Sequence, residues 1–256
     1  MICETRFRWT SAAMSHVGLV RQVNEDACLE QSERGLWVVA DGMGGHARGD
    51  VASRMVVEAL ARMPSFDSLD ELTAEARRQL QAVNTQLRTE AAMRDAYIIG
   101  STVVALLACG EHCTFLWAGD SRLYLYRNGL LRELSRDHSQ VEEMRSSGQI
   151  SAEDAQHHPA RNLITRAVGA ADTLELEEDG IDARDGDMFL LCSDGVSNEV
   201  SEQEMCDALV CGNCRQAAEA LVALALHGGG RDNISAVVVR AEDLNSPEKT
   251  LLNPAL

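Results

Sequence analysis

No window of the sequence approaches the ~18 uninterrupted apolar residues of a membrane-spanning helix. The opening residues MICETRFRWTSAAMSHVG also lack the apolar core of a signal peptide. Both absences favour a cytoplasmic chain with no membrane partner. Basic clusters dense enough to track a phosphate backbone are missing too: 23 Lys and Arg stand against 40 Asp and Glu, a formal net charge of −17, which argues against a nucleic-acid partner. Eight cysteines are scattered, Cys109 and Cys192 within apolar runs, and without an export signal they read as reduced thiols. Cys211 and Cys214 form a CxxC with no second half-site to complete a zinc centre. There is no internal repeat and no EF-hand spacing, and no Cys-x5-Arg nucleophile loop is expected.

What is present is the balance of a globular protein, with 45% apolar and 25% charged residues in 256. That length suits one large domain. Two blocks have helical spacing of apolar residues, about 48–62 (VASRMVVEALARM) and about 68–95 (LDELTAEARRQLQAVNTQLRTEAAM). Around them lie short β-branched or apolar runs, LWVVA, STVVALLA, CTFLWAG, RLYLYRNG, MFLLCSD and ISAVVVRA, bounded by Gly, Asp or Asn. Asn128-Gly129 within RLYLYRNGLLREL predicts a two-residue hairpin and so an antiparallel sheet. A third helical region, SEQEMCDALV and CRQAAEALVALALHGGG, stops at three glycines before the last strand. The polar stretch about 138–160 reads as a helix-turn-helix outside the sheets, and a loose tail is expected over 244–256 after a single domain of 1–243.

Four acidic turns abut apolar strands: Asp41-Gly42, Asp120-Ser121, Asp194-Gly195 and Asp232-Asn233. The first three follow a strand and the fourth precedes one, and antiparallel neighbours bring one strand's end beside another's start. Any one of these is an ordinary turn sequence; four together predict convergence. Converging carboxylates raise one another's pKa unless cations neutralise them. An all-oxygen set without paired His or Cys favours Mg, Mn or Ca, and two such ions can activate a water and hold phosphoryl oxygens. Glycine beside the ligands allows a carbonyl to approach an ion. Near the N-terminus, Gly18-x-x-Arg21-x-x-Asn24-Glu25-Asp26 adds a guanidinium suited to a phosphate dianion, or an exposed loop pair, and two carboxylates suited to metal-held waters.

In order, GLVRQVNED, VVADGMGG, GSTVV, AGDSRLYLYRNG, LSRDHS, HPARNLITRAVG, LCSDGV and GRDNISAVVV resemble the motifs of the metal-dependent protein phosphatases of the protein phosphatase 2C type, bacterial branch, over about residues 7–241. The resemblance implies an α+β fold, an αββα four-layer sandwich of two antiparallel sheets flanked by paired helices. It implies a serine/threonine phosphatase with two core Mn2+ or Mg2+ ions and a weaker third. Asp41 would bridge both core ions, Gly42 would offer its carbonyl, Asp194 and Asp232 would complete the pair, and Glu25 and Asp26 would act through metal-bound water. Asp120 with Asp194 would hold the third ion, Arg21 would bind phosphate, and about 138–160, ending near His157-His158-Pro159, would be a flap. Phosphorylated proteins, among them a Ser/Thr kinase and its substrates, are the partners implied for a cytoplasmic monomer. Met43 stands where many eukaryotic members carry the histidine proposed as general acid, which leaves a metal-bound water or another histidine for that role, His46 and His138 being candidates that also read as plain polar loop residues. The rivals are a pseudophosphatase that binds phosphoproteins without turnover and a plain Ca-binding protein.

Overall fold

Strands in this computed structural model run, in chain order, β1 (Phe7–His16), β2 (Asp26–Gln31), β3 (Leu36–Gly44), β4 (Ile99–Ser101), β5 (Val103–Cys109), β6 (His112–Ala118), β7 (Arg122–Arg127), β8 (Leu130–Glu133), β9 (Glu177–Asp182), β10 (Met188–Cys192) and β11 (Ile234–Asp243). Described are residues 7–44, 48–94, 98–156, 158–160 and 163–245; His46, His157 and the expected tail from residue 246 lie outside them. The strands form two antiparallel sheets, β1-β11-β10-β7-β8 and β2-β3-β5-β6-β9, with β4 paired to β3.

Alternation decides which way each side chain points. In β3, Leu36, Val38 and Ala40 pack under the helices α1 (Gly49–Ala61) and α2 (Leu69–Met93). Trp37 and Val39, on the opposite face, meet Phe189, Leu191, Val237 and Val239 of the other sheet. Leu190, Cys192, Ala236 and Val238 of that sheet turn outward to α6 (Glu202–Val210) and α7 (Cys214–Gly228). Strands covered on both faces read as continuous apolar runs rather than alternating ones, and the result is the expected four-layer αββα sandwich. Both long helical blocks fall within a residue or two of the expected bounds. Capping boxes at Ser201/Glu204 and Asn213/Gln216 start α6 and α7. The Asn128-Gly129 hairpin is present, with φ of 54° and 80° at its two turn residues as a type I′ turn requires. Residues 138–156 and 158–160 lie outside the two sheets, the former carrying α3 (Gln140–Ser146) and α4 (Ala152–Gln156). No helix among the described residues is long and apolar enough to cross a membrane.

One buried polar side chain ties the helical layer to the end of the sandwich where the aspartates gather. Asn84, fully buried in α2, accepts from the Gly169 amide at 2.6 Å and donates to the Ala171 carbonyl at 2.9 Å. The adjoining Val168 exchanges backbone hydrogen bonds with Ser101 at 2.8 and 2.9 Å, and the Ser101 hydroxyl donates to the Asp41 carbonyl at 3.0 Å. Asn84→Ala would leave the Gly169 amide and the Ala171 carbonyl without these partners, and each orphaned buried group costs about 1–3 kcal/mol. We expect a loss of that order in chemical denaturation, with an unchanged m-value; a variant as stable as the parent would show that water or loop movement satisfies both groups.

Candidate active site

At one pole of the sandwich the rows that face the seam between the sheets change from apolar to polar without changing side. On β3, Trp37 and Val39 are followed two residues on by Asp41, and on β2 Cys28 is preceded by Asp26 in the same parity. On β5 the row of Leu106 and Val104 continues to Thr102, on β7 that of Leu125 and Leu123 to Ser121, and on β10 that of Phe189 and Leu191 to Ser193. On β11, Ser235 precedes Val237. Strand period 2 therefore delivers carboxylates and hydroxyls into one place.

Asp26 and Asp41 sit directly opposite each other in the β2–β3 register. Ser193 Oγ donates to Asp26 Oδ2 at 2.8 Å and itself receives the Ser235 amide at 3.0 Å. Thr102 Oγ1 accepts from the Asp41 amide at 2.9 Å and bonds Ser121 Oγ at 2.7 Å, which anchors Asp41 and the turn carrying Asp120 to one hydroxyl. Asp194 opens the short helix α5 (Asp194–Ser197), and its Oδ2 accepts from Asn198 Nδ2 at 3.1 Å. Asp232 lies two residues before β11 and pairs with Arg21, Nη2 to Oδ2 2.7 Å. The arginine expected to bind phosphate is thus parked on a carboxylate. Glu25 is half-buried; its amide donates to Asn233 Oδ1 at 2.8 Å and its Oε1 accepts from the Gly49 amide at 3.1 Å. Gly42 has no room for a side chain, because a Cβ there would fall on the Gly49 carbonyl and within 2.6 Å of the Glu25 carbonyl oxygen.

Several residues with work here escape a sequence reading. Ser193, Ser235, Thr102 and Asn233 hold the acids, and Asn233 Nδ2 also donates to the Val17 and Val23 carbonyls at 2.9 Å each, shaping the loop that bears Arg21. Their only sequence signal is position, one strand step beyond an apolar row. His138 is a correction. It is 6% exposed, its Nδ1 accepts from the Gly119 amide at 3.2 Å and its Nε2 faces Glu177 at 3.2 Å, so neither ring nitrogen is offered to a leaving group. Another correction concerns cysteine: a Cys-x5-Arg spacing does occur, from Cys28 to Arg34. Cys28 lies in a strand with its thiol pushed up to about 12 by burial, and Arg34 donates to the Ala61 and Pro64 carbonyls at 2.8 and 3.0 Å. The pair forms no nucleophile loop.

A family model described as protein phosphatase 2C matches residues 15–227. The chain belongs to that family. Relatives in it include the serine/threonine protein phosphatase PstP of Mycobacterium tuberculosis, 40% identical over 239 residues, which are 91% of this chain and 45% of PstP; the chain thus spans about half the length of that relative. Among solved structures, PppA, described as a key regulatory component of T6SS in Pseudomonas aeruginosa, superposes with a TM-score of 0.86 at 47% identity, over 91% of this chain and 97% of PppA. The catalytic domain of PstP in complex with 2 manganese ions superposes with a TM-score of 0.81 at 37% identity, over 93% and 100% of the two chains.

Family likeness leaves open whether these particular residues suit a cation, and the electrostatics answer that. Burial, then the neighbouring acids, raises Asp41 well above the usual carboxylate range. Burial likewise lifts Asp194 to about 6, Asp26 to about 7 and Asp120 to about 8, with like charges adding to each. Asp26 Oδ1 and Asp194 Oδ1 are buried without a hydrogen-bond partner. A cation is the partner that such oxygens fit, and an all-oxygen set suits Mg or Mn. Among the described residues no three His, Cys, Asp or Glu side chains already form a closed ligand group. Ions here would therefore complete their shells with backbone oxygen and water, as hard cations commonly do.

These shifts have a sign. Each carboxyl has a folded pKa above the ~3.9 of an unfolded aspartate, so its contribution to stability is fully present below that value and is lost as pH rises through about 6, 7 and 8 for Asp194, Asp26 and Asp120. The chelated protein should therefore melt lower at about pH 8 than at about pH 5.5, and added Mn should remove most of that difference. A chelated melting temperature that rises over this interval would mean that the acids ionise at no cost.

Proposed function

We propose that the chain is a protein serine/threonine phosphatase that hydrolyses phosphoserine and phosphothreonine with two core Mn or Mg ions and a weaker third. The observation that carries the reading is the pair of buried, unpartnered carboxylate oxygens on Asp26 and Asp194, set among acids whose pKa burial and mutual repulsion raise. Asp41 would bridge the core ions, with the Gly42 carbonyl, Asp194 and Asp232 completing the set. Glu25 and Asp26 would hold coordinated waters, and Asp120 with Asp194 would take the third ion. Bound there, the ions supply a water of lowered pKa and neutralise charge on phosphoryl oxygens. Arg21, which pairs with Asp232 here, would offer parallel N–H donors to the phosphate dianion once Asp232 serves a cation. Ser193 holds Asp26 through Oδ2 and leaves Oδ1 to face the site. Residues 1–243 act as one phosphatase domain with about 138–160 as its flap. Phosphorylated proteins, including an opposing Ser/Thr kinase and its substrates, are the partners, met in the cytoplasm by a monomer. Intact Asp41, Asp194 and Asp232 weigh against a pseudophosphatase.

Turnover of a phosphothreonine peptide should require added Mn or Mg and vanish in excess EDTA; full activity in EDTA would sink the reading. Asp194→Asn should abolish turnover yet leave the metal-free protein as stable as the parent or more so, because a repelling buried acid has been removed. A clear drop in its metal-free melting temperature would reveal a structural partner for Asp194 beyond Asn198.

Met43 is half-buried on β3 opposite Gly100 and has no proton to give. A serine alkoxide needs a proton as it leaves more than an aryl oxide does. Met43→His should raise the rate on phosphoserine peptide relative to an aryl phosphate, by much less than the ~10²-fold of a well-aimed general acid, since nothing yet orients the imidazole. An unchanged rate ratio with intact metal binding would place leaving-group protonation elsewhere.

A further inference from the structure

Asp120 has no secondary structure of its own to stiffen it. It is the middle residue of the turn 119–121 that joins β6 to β7, and it follows Gly119 at φ 115°, a backbone value that side-chain-bearing residues avoid. Something outside the turn must fix it. On one side that is Thr102, whose side-chain carbons would lie 2.6 and 2.7 Å from a Cβ on Gly119 and whose hydroxyl bonds Ser121 at 2.7 Å.

On the other side is a single residue. The His138 amide donates to the Gly119 carbonyl at 2.9 Å, and the Gly119 amide donates back to His138 Nδ1 at 3.2 Å. Both backbone polar groups of Gly119 therefore end on His138. The imidazole is itself immobilised. It stacks on Trp117 with ring planes 5° apart and centroids 6.1 Å apart, and Nε2 lies 3.2 Å from Glu177 Oε1 and 3.4 Å from Arg166 Nη1. Arg166 in turn bonds Glu177 at 3.0 Å, and the His138 carbonyl accepts from the Thr165 amide at 2.7 Å. An acceptor Nδ1 assigns the ring proton to Nε2, which donates to Glu177.

We infer that His138 is a positioning residue for Asp120, acting through the Gly119 peptide, and not a proton donor to the leaving group. Burial, which holds this imidazole below its usual pKa, keeps Nδ1 free to accept. The inference rests on the proposed role of Asp120 at a weak third ion. Partners that orient a metal ligand typically matter by about 10- to 100-fold in affinity, and an ion held by few protein atoms is the one most exposed to a loosened turn.

The test is calorimetric titration of Mn into His138→Ala, His138→Asn, His138→Gln and Asp120→Ala alongside the parent, with melting temperatures and phosphopeptide kcat and KM measured on the same samples. Asparagine can present its amide oxygen where Nδ1 sits, whereas glutamine carries its acceptor one bond further out. We expect His138→Ala to weaken the third, loose binding event about 10-fold, leave the tight events in place and lower kcat more than it raises KM. His138→Asn should restore most of both effects and His138→Gln little of either. A parent with a loose event and a His138→Ala titration identical to it would overturn the inference alone. Equal losses in the alanine, asparagine and glutamine variants, tracking melting temperature, would overturn it in favour of a purely structural histidine. A parent with no loose event, or Asp120→Ala losing a tight one, would overturn the Asp120 reading and this inference together.

Discussion

Like charges gathered at the end of an apolar seam must be answered by something, and the architecture around Asp26, Asp41, Asp120, Asp194 and Asp232 is organised by that demand. Each sheet contributes acids that neither sheet could keep ionised on its own, because burial and the facing carboxylates push the same way. One hydroxyl donates to a carboxylate and another fixes the backbone of a second acid. Ser193 serves Asp26, and Thr102 holds the backbone of Asp41. Arg21 answers more by lying on Asp232. Two buried oxygens still have no partner, and that deficit gives a cation a reason to bind.

The same demand explains why the backbone is so crowded at this pole. Gly42 is pressed against the Gly49 and Glu25 carbonyls, and Gly18, at φ 83°, against the backbone of Asp232 and Gly230. Peptide oxygens brought this close can join carboxylates around a hard ion, at the cost of admitting no side chain at either position. Asn233 supplies the remaining stiffness by bonding three loop groups on both sides of Arg21. The site is therefore carried by strand ends, with Asp26 and Asp41 on β2 and β3, together with the loops that Asn233 ties to them.

Much of this was legible from the sequence. Long amphipathic periods gave α1 and α2 within a residue or two, apolar runs gave the central strands, and Asn128-Gly129 gave the hairpin. The edge strands β1, β2 and β9 were not legible, unlike β8, which the hairpin turn announces. β9, with the sequence EEDGID, has almost no apolar residues because only a thin strip of it is covered, and β1 and β2 carry mixed polarity for the same reason. STVVALLA reads as one strand and is split at Thr102, whose side chain is diverted to Asp41 and Ser121. The acids stood out since charge beside an apolar run is conspicuous. The serines, Thr102 and Asn233 did not, because a hydroxyl or amide announces a role only when its partner, distant in sequence, is known. His138 was a candidate only because Met43 leaves the general acid unassigned, and its burial against Trp117, with Gly119 on one nitrogen and Glu177 on the other, shows that both nitrogens are occupied.

The pairing of β1 with β11, from Phe7 opposite Asp243 to His16 opposite Ile234, bears on how the protein is made. A chain emerging from the ribosome at roughly 5–20 residues per second exposes β1 long before its neighbour exists. The sheet of β2, β3, β5 and β6 can assemble under α1 and α2 in the interval, while the other waits for the last described strand to supply its second position from the edge. Asp232 arrives with that strand, so the acid pole is the last region to close. A nascent chain interrupted between Asp194 and Asp232 would hold Asp26, Asp41, Asp120 and Asp194 but neither the arginine's partner nor a complete seam, and the acid pole would close in one late step of synthesis rather than piece by piece along it.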